Sequence, residues 1–257
     1  MNNIAQAVWV EALKARRSKM PLLTALAFSL LPLVGGFFVI VQRDPELARR
    51  VGLISAKARL TMGGADWPSY LGFLTLAVAG GGIILFGFIA SWVFGREYAD
   101  RTVKDLLALP TSRSSIVLAK FLVVMSWSAA LTALLYLIGL GVGAAVALPP
   151  VPAQAFWRVT TTMVVSAGLT IALVTPIAFF ASAGHGYLPP MGFAMLAIFV
   201  AQVVAAAGWG EYFPWSVPGL YAQGTSLGMV SHAIVLVTGV AGLAGTFLWW
   251  ERADQTH

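Results

Sequence analysis

The chain has 257 residues, 59% of them hydrophobic and 10% charged, with a formal net charge of +6 and no cysteine. Soluble domains are about half apolar and about a quarter charged, so this composition is that of a helical membrane protein. Disulfides, thiolate catalysis and cysteine metal sites are excluded, and the excess of Lys and Arg is read as a topology signal rather than a nucleic-acid footprint.

Residues 1–19 form the first expected element, a helix lying on the membrane. Ile4, Val8, Ala12 and Ala15 fall near one face and Trp9 suits the headgroup level. Glu11, Lys14, Arg16, Arg17 and Lys19 supply the polar side, and a simple topogenic anchor is the alternative. No cleavable signal peptide is evident.

Six apolar spans follow, at 20–41, 70–94, 115–147, 157–181, 188–207 and 226–250. The third is over-long and must tilt or project. The expected fold class is an all-α integral membrane protein of six transmembrane helices, with 1–257 as a single domain.

Between the first two spans Asp44 can cap a helix that starts at Pro45, with Glu46 in its first turn. Leu47, Val51, Ile54 and Ala58 make its apolar stripe, and Gly63–Gly64 ends it. It reads as a lid or lipid-headgroup contact, or as a loop helix packed on its own bundle. The turn at 181–187, followed by Pro189 and Pro190, joins spans four and five as a tight hairpin. The aromatic segment 209–221, broken by Pro214 and Pro218, fits two short half-helices or an ordinary interfacial belt.

An even span count puts both termini on one side. With the N-terminus inside, ten Lys/Arg are cytoplasmic (Lys14, Arg16, Arg17, Lys19, Arg96, Arg101, Lys104, Arg113, Lys120 and Arg252) against six outside.

No catalytic or metal-binding constellation stands out. GxxxxGK[ST], GxSxG and HExxH are missing, and His185, His232 and His257 lack metal-ligand spacing. His232 is the one ionisable side chain expected well inside a span, bonded to a neighbouring helix. Ion-coupled carriers use embedded carboxylates or histidines. The energy for transport is therefore expected to enter from outside the bilayer, without catalysis by this chain. A secondary carrier or channel is the first rival, and a non-transporting anchor or sensor subunit the second.

The densest charge lies between spans two and three. Arg96 to Leu109 fits a helix stopped by Pro110, with Glu97–Arg101 and Asp100–Lys104 as i,i+4 pairs. Tyr98, Thr102, Leu106 and Leu109 follow one stripe, and Thr111, Ser112, Ser114 and Ser115 can cap the next span. Charge alone leaves a solvated loop open.

The string Arg-Glu-x4-Thr-x3-Leu-Leu-x-Leu-Pro-x-Ser-Arg-x2-Ile-x3-Lys, residues 96–120, resembles the permeases of type-2 ATP-binding-cassette (ABC) exporters, in particular the branch with bacitracin and lantibiotic self-protection transporters. Trp9–Ser18, the six spans and Phe213-Pro214-Trp215 agree with it.

The resemblance implies a cytoplasmic coupling helix that seats in a cytosolic ABC ATPase, with Glu97, Arg101, Thr102, Leu106, Leu107, Pro110 and Arg113 matching its pattern. It also implies a second permease copy or paralogue, outward transport by alternating access in a cytoplasmic membrane, and ATP and Mg bound on the partner ATPase rather than on this chain. No substrate-binding residue carries over. Gly139–Gly143 and Gly224–Gly228 offer close helix approach for a dimer.

Overall fold

The computed structural model describes residues 3–52, 62–103 and 111–252. Helices run in chain order: α1 Asn3–Arg17, α2 Met20–Arg43, α3 Pro45–Val51, α4 Trp67–Ala99, α5 Arg113–Ala145, α6 Ala153–Ala172, α7 Thr175–Ala183, α8 Leu188–Ala206, α9 Val217–Ala222 and α10 Met229–Arg252. A 3-10 turn, Gly210–Tyr212, precedes α9. Six segments are long and apolar enough to cross a membrane: α2, α4, α5, α6 with α7, α8 and α10. They match the six expected spans.

Local chemistry sets where the helices start. Asp44 accepts from the Glu46 and Leu47 amides at 2.9 and 3.0 Å and caps α3. Asp66 accepts from the Ser69 amide at 2.9 Å, with Pro68 in the first turn, and caps α4. Ser112 does the same for α5 through the Ser115 amide at 3.2 Å. Each cap satisfies amides that a helix start leaves unpaired. Ile54 and Ala58 of the expected loop stripe lie outside the described residues.

The core is organised around α4. Tyr70, Leu74 and Val78, then Phe86, Ala90 and Phe94, are buried along it at i,i+4 spacing. They pack chiefly against α5, α6 and α7. The outward faces are apolar: Leu22, Leu26, Leu30 and Leu33 of α2, Met195 and Phe199 of α8, and Val237 and Val240 of α10 are exposed. Water would penalise such a continuous belt, whereas lipid matches it.

The fourth span differs from the expected single helix. It breaks between α6 and α7, where Pro176 removes an amide and crowds the preceding turn. The break is held by α10. The Thr175 hydroxyl donates to the Gly239 carbonyl, and a Cβ at Gly242 would lie 2.6 Å from the Thr175 carbonyl carbon. Only glycine lets α10 approach the broken backbone that closely.

Two other expectations change. A Cβ at Gly139 would lie 2.6 Å from Leu74 Cδ1, and one at Gly143 2.5 Å from the Trp67 ring. These two glycines therefore serve contacts within the chain, while Gly141 between them faces open space. Gly224 is a turn residue with φ +82°, and Gly228 faces open space. His232 sits in the first turn of α10, not deep in the span. Its Nδ1 lies 3.0 Å from its own turn's Gly228 carbonyl, and its ring contacts Tyr221 edge-on.

Candidate functional site

The helix α1 presents Val8, Glu11, Ala12 and Ala15 on one side, a spacing that forms one face. Glu11 and Ala15 are buried and Trp9 on the other side is exposed. This face packs on α5, so Glu11 and Lys14 are carried toward the ends of α4 and α5. The segment joining those two helices is the one that resembles a coupling helix.

Four side chains close a ring there. Lys14 Nζ reaches Glu11 Oε1 at 2.6 Å and Glu97 Oε1 at 3.1 Å. Lys120 Nζ reaches Glu11 Oε2 at 3.1 Å and Glu97 Oε2 at 2.8 Å. Its third proton goes to the Val93 carbonyl at 2.8 Å. The ammonium thus has all three of its donors used. Lys120 is 0% exposed, Glu97 2% and Glu11 5%. Two ammonium and two carboxylate groups cancel, which is what permits burial. Burial would lower the Lys14 pKa, but the Glu11 and Glu97 carboxylates outweigh it and hold that group above its ordinary 10.5.

Beyond Glu97 the chain turns. The helix ends at Ala99, the Asp100 amide donates to the Arg96 carbonyl, and the Thr102 amide donates to the Glu97 carbonyl at 2.9 Å. Arg101 has φ +58°. One continuous helix from Arg96 to Leu109 is therefore corrected, and so is the Glu97–Arg101 pair. Glu97 is committed to Lys14 and Lys120, while Asp100 approaches Arg96 at 3.9 Å. The buried Lys120 ammonium and the partly exposed Lys14 ammonium together neutralise Glu97, an advantage the single local i,i+4 partner cannot offer.

Arg113, on the far side of the segment, caps α10. Its Nη1 donates to the Trp250 carbonyl at 3.1 Å, where a cation suits a helix C-terminus. Trp250 in turn donates through Nε1 to Ser182 Oγ at 3.0 Å, tying α10 to α7.

Of the expected coupling residues, Arg101 and Thr102 are exposed. Glu97 and Arg113 are held by partners within the chain, and Leu106, Leu107 and Pro110 lie outside the described residues. Glu11, Lys14 and Lys120 were missed as a group. The available signals were a carboxylate on the apolar face of α1 and a lysine two turns inside an apolar span. Among the described residues no cluster of three potential metal ligands occurs.

Residues 7–201 match the family described as ABC-2 family transporter protein. The chain is also 29% identical, over 177 residues, to the bacitracin transport permease protein BCRB of Bacillus licheniformis, covering 67% of this chain and 85% of that relative. Subunits of this family are generally non-catalytic and work with an ABC ATPase. The chain belongs to the ABC-2 transporter family and is the transmembrane permease subunit of an ABC transporter.

Proposed function

We propose that this permease exports its substrate outward across a cytoplasmic membrane, driven by separate cytosolic ATPase subunits that bind the ATP and Mg. The observation that supports this most is the convergence at one end of α1, the two helices flanking segment 96–113, and the end of α10. The Lys/Arg lean favours this end, with both termini, as cytosolic. Arg101 and Thr102 are then the described residues offered to an ATPase. The ionic ring makes α1, α4 and α5 respond together when that segment is pushed. Closure of the ATPases on ATP thereby re-orients the spans. A second copy or a paralogue completes the pathway, and membrane lipid surrounds the apolar belt. The cargo named for the relative, bacitracin, is the first compound to test.

The test reconstitutes the permease with its ATPase in liposomes. Flux that requires ATP hydrolysis is expected. Equal flux without ATP overturns the reading in favour of a secondary carrier, and ATP hydrolysis untouched by any cargo favours a sensor subunit.

A further inference from the structure

At the end opposite the ionic ring, α4, α6 and α9 border an open cavity of about 670 Å³, with Gln154, Arg158 and Gln223 exposed at its surface. Gly72, Ala155 and Val159 give it apolar wall, and Gln154, Arg158 and Gln223 give it polar wall. Among the described residues no carboxylate lines it. Arg158 makes no ion pair and no side-chain hydrogen bond among the described residues. A Cβ at Gly72 would meet nothing within 4 Å, so the wall is open there.

Arg158 lies five residues into α6, about 8 Å from its start at ~1.5 Å per residue. A headgroup layer is about that thick, which would put Arg158 near the boundary between headgroups and hydrocarbon. A guanidinium there is costly unless it meets water or an anion. Several other basic groups are occupied within the chain. Arg43, at the same end, donates to the Val146, Ala147 and Ala65 carbonyls. Lys14 and Lys120 are spent in the ring.

The guanidinium fork matches phosphate oxygens two at a time. The side-chain amides of Gln154 and Gln223 supply further N–H donors beside it. The apolar wall suits the first carbons of a chain attached to the phosphate. We propose that this cavity binds an anionic amphiphile, a phosphate headgroup on an alkyl chain, with Arg158 as its principal contact. The same chemistry is presented by a bilayer lipid and by an amphiphilic cargo. The proposal goes beyond the export reading, and its test needs no ATPase, so either can fail alone.

The full-length permease in phosphatidylcholine nanodiscs is titrated with dodecyl phosphate, and bound ligand is counted by native mass spectrometry. One saturable site per chain is expected. Arg158→Gln should weaken it about tenfold or more, a loss of one charge-assisted contact, and Arg158→Lys by less. Gly72→Leu, which places a side chain in the cavity, should also weaken it, while Arg16→Gln, at an exposed position of α1, should not. Dodecanol should not compete. If phosphatidylglycerol in the disc displaces dodecyl phosphate, the ligand is a bilayer lipid. If dodecyl phosphate stays bound there, the site prefers a ligand other than bulk lipid. Equal affinity in wild type and Arg158→Gln, or equal binding of dodecanol, overturns the proposal.

Discussion

The two ends of this permease carry charge in opposite ways. At one end Glu11, Lys14, Glu97 and Lys120 are drawn inside and neutralise one another within 2.6–3.1 Å. At the other, Arg158 stands on a cavity wall without a partner among the described residues. A closed ring gives stiffness, because each charge depends on all the others. An open cation gives affinity for something from outside. Stiffness belongs where force is received, and free charge where a ligand is met.

The largest effect should come from breaking the ring. Lys120→Met leaves two buried carboxylates facing only Lys14 and should cost about 3–5 kcal/mol of stability. Thermal or denaturant unfolding in detergent reads this, and adding Glu11→Gln and Glu97→Gln should recover much of the loss. No loss in the single variant would mean that the ring is not closed.

A smaller effect is expected at Arg113. Arg113→Gln removes the cation at the α10 C-terminus and should cost about 0.5–1 kcal/mol. A loss as large as that of Lys120→Met would erase the distinction between a ring member and a cap.

The pH dependence of Lys14 sharpens the comparison further. Its folded pKa is raised, so its stabilising contribution is fully present below its ordinary 10.5 and is lost as pH rises through the higher folded value. The stability difference between wild type and Lys14→Gln should thus stay flat over about pH 6 to 9 and shrink only in strong alkali. A difference that falls near neutrality would contradict the ring geometry.

Arg158→Gln should have the least effect on stability, within about 0.5 kcal/mol, because no partner among the described residues is lost. A cost comparable to that of Lys120→Met would show that Arg158 is structural, and the two ends would no longer differ in kind.

The six spans were legible because charge-poor runs of that length have few other uses. The caps were legible because Asp44 and Ser112 act on amides two or three residues away. The ring was not. Glu97 and Lys120 are 23 residues apart and Glu11 and Lys120 are 109 apart, and they meet only because α1 docks on α5. Sequence spacing offered Arg101 as the partner of Glu97, and that local pairing lost to Lys14 and the buried Lys120. Pro176 was visible inside the fourth span but was not weighed as a break. Its tolerance depends on Gly239 and Gly242 of α10, which no local rule connects to it. In sequence Arg158 is one basic residue near the start of the fourth span, and nothing local marks it as part of a site, since the cavity beside it is made by α4 and α9.

The central claim is that the ionic end is where the ATPase acts. The chain has no native cysteine, so single cysteines replacing Thr102 and Gln223 can each carry a photo-activated cross-linker in the assembled complex. The account predicts cross-links to the ATPase from position 102, next to the ring, and none from position 223 at the opposite end. Cross-links from position 223, or none from position 102 in a complex that hydrolyses ATP, would contradict it.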